Sequence, residues 1–169
     1  MNLYRIIQFL KYKWKAMGRH GTHSPFVYAF IEQILHDYDM IPKSYLISCP
    51  SLGLRFENIL SRIAAHYQFK NMLFLPARAA DQPATNADMV IMDGKDASIW
   101  KTQLDAILPL LKNESVVVIQ DIHSSKTHDQ AWTGLCHHPD VRMSIDLYGM
   151  GLLLFREEFK VQQHFVLQY

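Results

Sequence analysis

The apolar positions of the chain follow two different spacings, and the change from one to the other occurs near residue 70. Before that point they recur every three or four residues, which predicts amphipathic helices. After it, short apolar runs alternate with helical segments, which predicts a mostly parallel β-sheet covered by helices. We therefore predict a single α/β domain over residues 1–169, with a helical part at 1–70 and a sheet part at 71–169. The predicted N-terminal helices cover residues 3–17, 25–35 and 54–67.

Five apolar runs in the sheet part have the length and composition of β-strands. The first three are separated by non-strand sequence, so we expect them to lie side by side as buried parallel strands. The fourth run alternates, and Gly149-Met150-Gly151 predicts a tight turn into a fifth strand that returns antiparallel. The run at 164–169 predicts either an edge strand or a packed tail. The five strands are residues 71–75, 88–92, 115–120, 141–147 and 152–155.

The first predicted helix is amphipathic and basic. Its apolar positions include Leu3, Ile7, Leu10 and Trp14, and we expect that face to pack on the body of the domain. A role at a membrane surface or on a polyanion is the alternative that the same pattern allows. Five cations precede Glu32, the first acid of the chain, and they are Arg5, Lys11, Lys13, Lys15 and Arg19.

Polar side chains follow two of the predicted strands directly. Asp93 comes after the strand at 88–92, and Asp121 and His123 come after the strand at 115–120. Ligands of open α/β sheets bind at the carboxyl ends of the strands, so these side chains are candidates for chemistry. We take Asp121 and His123 as candidate catalytic residues, and Asp93, Asp121 and His123 as candidate metal ligands. The alternative, which we prefer, is that the two aspartates cap the segments that follow them.

Composition and charge exclude several classes of protein. A net charge of +1 is too small to indicate a nucleic-acid-binding domain. No apolar stretch is long enough for a membrane span. The two cysteines, Cys49 and Cys136, are far apart and have no metal-binding spacing, which is typical of a protein with reduced thiols. We therefore expect a cytoplasmic protein.

Three segments together resemble class I S-adenosylmethionine-dependent methyltransferases, and in particular a bacterial branch that begins with an RHG-x-HSPF segment. Here these segments are RHGTHSPF at 19–26, MDGKD at 92–96 and QDIHSSK at 120–126, and the ending at 146–169 is also similar. The resemblance implies a Rossmann-like methyltransferase fold and S-adenosylmethionine as cofactor. Similarity to the cation-dependent O-methyltransferases implies a divalent cation at Asp93 and Asp121, although Ile122 stands where they have an asparagine.

The chain departs from the methyltransferase pattern where the cofactor would bind. The family has a glycine-containing loop after its first strand, because glycine lets the backbone approach the cofactor closely. At the matching place this chain has a loop without glycine, consisting of Pro76, Ala77, Arg78, Ala79 and Ala80. Two strand–helix units of the family are also missing, because only residues 76–87 precede the next strand. We therefore predict a truncated Rossmann-like methyltransferase fold, with a mostly parallel sheet of about five strands, an antiparallel C-terminal strand and N-terminal helices.

These departures favour a degenerate methyltransferase-like protein that does not bind S-adenosylmethionine and acts as a binding or oligomerisation module. The alternative is an active S-adenosylmethionine-dependent methyltransferase, cation-dependent or not, with a rebuilt cofactor site and with His123 or Asp121 as general base. A small metal-dependent hydrolase that uses Asp93, Asp121 and His123 is a third hypothesis. The missing units uncover the edge of the first strand, so we expect a homodimer through that edge or through the N-terminal helices. We expect no nucleic-acid partner.

Overall fold

The change of spacing near residue 70 corresponds to a division of the folded chain into two units. The first, here called the sheet unit, comprises Met1–Ala16 and Asn71–Gln168, and the second, the helical unit, comprises Met17–Lys70 and Tyr169. The first helix therefore belongs with the sheet, and each unit is described by itself. The computed structural model describes residues 3–18, 21–36, 41–48, 53–75 and 86–169.

The sheet unit contains a six-stranded sheet in the order β1-β2-β3-β5-β4-β6. β5 is antiparallel to both of its neighbours, and the other pairs of neighbouring strands are parallel. The predicted mostly parallel sheet with an antiparallel C-terminal strand is confirmed, and the fold is Rossmann-like. The sixth strand comes from the run at 164–169, which forms an edge strand beside β4. The strands are β1 Met72–Leu75, β2 Ala87–Met92, β3 Leu111–Gln120, β4 Met143–Asp146, β5 Met150–Leu154 and β6 Gln163–Val166.

Three α-helices accompany this sheet, and they are α1 Leu3–Lys15, α4 Trp100–Ile107 and α5 Lys126–Cys136. Short 3-10 turns precede and follow α4, at Ala97–Ile99 and Leu108–Leu110. Trp100 of α4 and Trp132 of α5 pack in one apolar core with the strand residues Val90, Val117 and Leu153. No helix within the described ranges is long and apolar enough to cross a membrane.

The turn between β4 and β5 differs from the predicted one. β5 begins at Met150, so the chain reverses at residues 147–149, where Tyr148 has a φ of +65°. Gly151 lies inside β5 instead of in a turn, and a Cβ there would overlap the ring of Trp132. The close packing of α5 on the sheet therefore requires glycine at position 151. A prediction based on local turn sequence cannot detect this packing.

The helical unit contains α2 Pro25–Phe30, which continues as a π-helical turn at Ile31–Leu35, and α3 Leu54–His66. The hydroxyl of Ser24 accepts a hydrogen bond from the amide of Val27 and so caps α2, while Pro25 occupies the first turn. A 3-10 turn at Lys43–Tyr45 lies between these helices. The guanidinium of Arg62 donates to the carbonyls of Ile34 and Leu35, which ties α3 to the end of the π-helical turn.

The prediction that the apolar face of α1 packs on the domain is wrong. Leu3, Ile7, Leu10 and Trp14 are exposed, and the helix is attached by its polar face. The physical reason is the surface that α1 covers. That surface offers the carboxylates of Asp121 and Asp129, the carbonyl of Leu167 and the ring of Tyr148, so the helix is attached by hydrogen bonds and aromatic contacts from its other side.

Candidate functional site

Three aspartates lie at one edge of the sheet. β2, β3 and β4 are parallel, so their carboxyl ends meet at the same edge. Asp93 follows β2, Asp121 follows β3, and Asp146 is the last residue of β4. Asp121 has a φ of +52°, and its amide donates to the carbonyl of Gly149 at 2.7 Å. This is the edge at which open α/β sheets bind their ligands.

His123 lies between two carboxylates at this edge. Its Nε2 is 2.7 Å from Oδ2 of Asp146, and its Nδ1 contacts the carboxylate of Asp129 on α5. Burial by itself lowers the pKa of His123, but the hydrogen bonds and charges of Asp146 and then Asp129 outweigh it and raise the pKa above its ordinary value. Both ring nitrogens face carboxylate oxygens, and the raised pKa favours the imidazolium form, in which both nitrogens donate.

Tyr148 completes the surroundings of the imidazolium. Its ring stacks on His123 with a centroid distance of 5.5 Å and an interplanar angle of 27°. Its amide donates to Oδ1 of Asp146 at 2.7 Å, which holds the carboxylate that faces His123. A cation above an aromatic face is attracted to it, so the left-handed turn at Tyr148 adds to the stability of the charged ring.

Helix α1 lies across this group of side chains. Arg5 pairs with Asp121 at 2.9 Å, Tyr4 donates its hydroxyl to Asp129, and Tyr12 donates to the carbonyl of Leu167, just after β6. Burial and then Asp129 raise the pKa of Tyr4 to about 12, which keeps its hydroxyl a donor.

The span of these contacts gives the direction of the helix. From Arg5 to Tyr12 the helix rises roughly 10 Å. β3 and β6 are three strand positions apart in the sheet, which is a distance of about 14 Å. α1 therefore crosses the carboxyl ends from β3 toward β6. The hydroxyl of Tyr148 donates to the carbonyl of Arg5 at 2.6 Å and adds a further attachment.

Asp93 makes a local contact. Its carboxylate accepts from the amide of Lys95 at 3.1 Å and pairs with the ammonium of the same residue at 3.2 Å. Next to it, Gly94 lies so close to the carbonyl of Gln120 that a Cβ would overlap it. The carbonyl of Gly94 accepts a 2.7 Å hydrogen bond from Nε2 of His128, which joins this loop to α5.

The structure gives the three candidate metal ligands separate partners. Asp93 binds Lys95, Asp121 binds Arg5, and His123 donates to two other carboxylates. No group of three histidine, cysteine or acidic side chains that could hold a metal ion occurs in the part of the chain that the structure describes. A protonated imidazole offers no lone pair to a cation, so this donor set does not fit a divalent ion.

The predicted cofactor loop, formed by Pro76, Ala77, Arg78, Ala79 and Ala80, lies outside the described residues. Whether it binds S-adenosylmethionine therefore stays a prediction. Of the candidate catalytic residues, Asp121 and His123 both lie at the expected edge of the sheet. Both ring nitrogens of His123 and one carboxylate oxygen of Asp121 are in contacts within the chain.

A pocket of about 320 Å³ lies beside His123, between α1, α5 and the strands β4 and β6. Lys11 and Lys15 of α1 line one side, and His137 and His164, whose rings are 4.9 Å apart, line another. Burial and then the neighbouring His137 lower the pKa of His164. Burial raises the pKa of the Cys136 thiol, which also lines the pocket, to about 12, so this thiol is not a nucleophile at neutral pH.

Sequence reasoning missed Asp129, Asp146 and Tyr148. Asp146 ends β4, and Asp93 and Asp121 directly follow β2 and β3, so the same rule applied to the fourth strand would have found Asp146. Asp129 and Tyr148 have no such signal, because their contacts with His123 join a helix and a turn to a loop from elsewhere in the chain.

Comparison with protein-family profiles, with curated proteins and with solved structures finds no match for this chain. The fold and the site define an α/β protein of Rossmann-like architecture whose N-terminal helix contacts the strand-end acid Asp121 and Asp129 of α5.

Proposed function

We propose that this protein is a shortened, degenerate methyltransferase-like domain that acts by binding and not by catalysis. The observation that carries the proposal is the engagement of both candidate catalytic residues within the chain. Asp121 is paired with Arg5, and both nitrogens of His123 face carboxylates. α1 contacts this edge through Arg5 and Tyr4, and the side chain of His123 is 16% exposed.

The chemistry of His123 supports a binding role. A general base must hold a lone pair within reach of the proton that it removes. In its protonated form the imidazole of His123 donates from both nitrogens. Burial lowers its pKa, but the hydrogen bonds and charges of Asp146 and Asp129 outweigh burial and raise it. The ring is therefore suited to holding two carboxylates together, and poorly suited to removing a proton from a substrate.

The arrangement of the sheet supports the methyltransferase-like origin. The resemblance implied parallel strands followed by an antiparallel strand near the C-terminus, and β5 has that place between β3 and β4. β1 and β2 are parallel neighbours although residues 76–86 alone connect them. A parallel crossover usually takes a dozen residues or more, so little chain remains for a cofactor loop and the family's additional units.

The proposal includes a cytoplasmic location, which the free, buried thiol of Cys136 supports. It also includes self-association through the outer edge of β1. β1 is the end strand of the sheet, and within the described residues only β2 pairs with it. Sedimentation velocity at increasing concentration tests this part.

Calorimetric titration of the full chain with S-adenosylmethionine tests the central claim. We expect no binding at millimolar cofactor, and a melting temperature unchanged by the cofactor. A ligand present at 100 times its Kd stabilises the folded state by about 2.7 kcal/mol, so a micromolar site is easily detected by thermal unfolding. Micromolar binding of S-adenosylmethionine would overturn the proposal in favour of an active methyltransferase with a rebuilt site.

A further inference from the structure

The outer face of α1 is an apolar stripe that remains exposed among the described residues. Leu3, Ile7, Leu10 and Trp14 are 69%, 43%, 61% and 96% exposed. At about 100° per residue these four positions fall within an arc of about 60°. Tyr4, Arg5 and Tyr12, which attach the helix to the domain, project from other sides. We call the four residues the α1 stripe.

Lysines lie on both sides of the α1 stripe. On the same helical projection Lys11 falls roughly 70° from its centre on one flank, and Lys13 roughly 90° from it on the other. Both are exposed, as is Lys15, and α1 contains no acidic residue. The surface is thus an apolar strip with cations along its borders and a nearly fully exposed indole near one end.

We propose that α1 binds an anionic lipid surface, lying flat with the stripe inserted among the head groups and the lysines against lipid phosphates. Amphipathic helices with a basic border and large apolar side chains bind membrane interfaces in this way. Such lysines extend toward the charged head groups while their stems remain on the apolar side. The inference concerns the outer face of α1 and does not depend on whether the domain binds S-adenosylmethionine.

Two features favour a lipid surface over a protein partner. The inner side of α1 is fixed to the domain. A partner protein with a groove therefore cannot enclose the helix, whereas a flat surface can lie against its outer face. A second copy of α1 on the stripe would bring its lysines against those of the first, and like charges in contact are unfavourable. An anionic surface instead complements these charges.

Tryptophan fluorescence tests the proposal directly. Trp100 and Trp132 are 0% and 5% exposed, whereas Trp14 is 96% exposed, so a blue shift on addition of vesicles reports on Trp14. We expect a blue shift with vesicles of phosphatidylcholine mixed with phosphatidylglycerol and none with pure phosphatidylcholine. Because charges are screened over about 8 Å at physiological ionic strength, we expect binding to weaken as salt is added.

Co-sedimentation of variants with the same vesicles identifies the surface. Leu10→Ser removes a large apolar group from the stripe, and we expect about tenfold weaker binding. Lys13→Glu reverses one bordering charge, and we expect a loss of about fivefold or more. The matched controls are Leu54→Ser, at a leucine of α3 that is 79% exposed, and Lys160→Glu, at an exposed lysine beyond β5. Both controls should bind like the unchanged protein, and circular dichroism melts should show that all four variants are folded.

Four outcomes would overturn the inference. The first is no binding to vesicles of either composition, including the case in which the stripe binds only an acidic protein. The second is equal binding to neutral and anionic vesicles. The third is equal loss of binding in Leu10→Ser and Leu54→Ser. The fourth is a dimer of the unchanged protein that Leu10→Ser converts to a monomer.

Discussion

The imidazole of His123 lies 2.7 Å from the carboxylate of Asp146, at the edge of the sheet where a Rossmann-like protein binds its ligand. The opposite ring nitrogen contacts Asp129, and α1 contacts the same carboxylate through Tyr4. A histidine between two acids at a ligand-binding edge consists of residue types that are common in catalytic sites. Here the hydrogen bonds of His123 and Asp129 instead connect a strand, a helix and the N-terminal segment.

The stability of the protein should depend on the protonation of His123. The folded-state pKa is raised above the unfolded value of 6.5, so the contribution of His123 to stability is fully present below pH 6.5. It is lost as the pH rises through the raised folded-state pKa. We expect the difference in unfolding free energy between the unchanged protein and His123→Gln to decrease from pH 6 toward alkaline pH, as about 1.4 kcal/mol per unit of pKa shift is lost.

Urea unfolding at several pH values measures this difference. His23→Gln is the matched control, because it removes the same ring at an exposed position. Measured alongside, it shows how much of any dependence on pH is particular to His123. A constant difference for His123→Gln across the whole range would show that the imidazole is neutral in the folded protein.

Removing one carboxylate at a time should rank the partners of His123. Asp146 contributes more than Asp129 to the raised pKa, so Asp146→Asn should lower the pKa of His123 further than Asp129→Asn does. Each asparagine is close to the size of aspartate and can still accept a hydrogen bond, so the loss is mainly that of charge. We expect each variant to lose roughly 1–3 kcal/mol of stability.

Proton NMR of the His123 ring, followed through a pH titration, measures both pKa values, and urea unfolding measures the two stabilities. If Asp129→Asn lowers the pKa as much as Asp146→Asn or more, then the contact through α5 dominates and the ranking is wrong.

The sheet could be predicted from the sequence because each of its strands is an apolar run that the residues of the run themselves identify. The run of β3 needed no knowledge of distant contacts, whereas the turn into β5 lies at residues 147–149 because Gly151 packs inside the strand against Trp132. The sixth strand was left open, because a short apolar run at the chain's end packs equally well as a tail. Its pairing with β4 depends on which edge the rest of the sheet leaves available.

The orientation of α1 shows where sequence patterns are insufficient. An amphipathic pattern shows that two faces differ, and we assigned the apolar face to the domain because that is its usual place. α1 instead contacts the domain through Tyr4, Arg5 and Tyr12. Their partners are the carboxylates of Asp129 and Asp121, the carbonyl of Leu167 and the ring of Tyr148. Knowing that requires the positions of Asp121 and Asp129 in space, which no local spacing provides.

Two glycines, one in β5 and one in α5, should respond in opposite ways to the same substitution. Gly151→Ala places a methyl group inside the ring of Trp132, which packs directly on β5, so we expect a loss of about 2 kcal/mol or more. Gly134→Ala lies on the exposed side of α5 with no atom within 4 Å of the added carbon. We expect that variant to gain about 0.5 kcal/mol, because alanine restricts the unfolded chain and favours helix.

Thermal and urea unfolding of both variants test the packing of α5 on the sheet. A neutral Gly151→Ala variant would mean that Trp132 does not lie against β5. A destabilised Gly134→Ala variant would mean that the outer side of α5 is covered.

The Cys136 thiol should be unreactive in the folded protein. It is buried at the wall of the pocket beside His123, and burial raises its pKa to about 12, so almost none of it is thiolate at neutral pH. In a Cys49→Ser variant, where Cys136 is the remaining cysteine of the two, we expect an aromatic disulfide reagent to react only after denaturant is added. The reagent's absorbance measures the rate, and the same variant in denaturant is the control for a competent thiol.

Because reaction of Cys136 requires opening of the α5–β4 contact, the native rate should rise when Gly151→Ala, which loosens α5, is added to the Cys49→Ser variant. A fast reaction in the native state without denaturant would mean that the pocket admits the reagent and that Cys136 is ionised there.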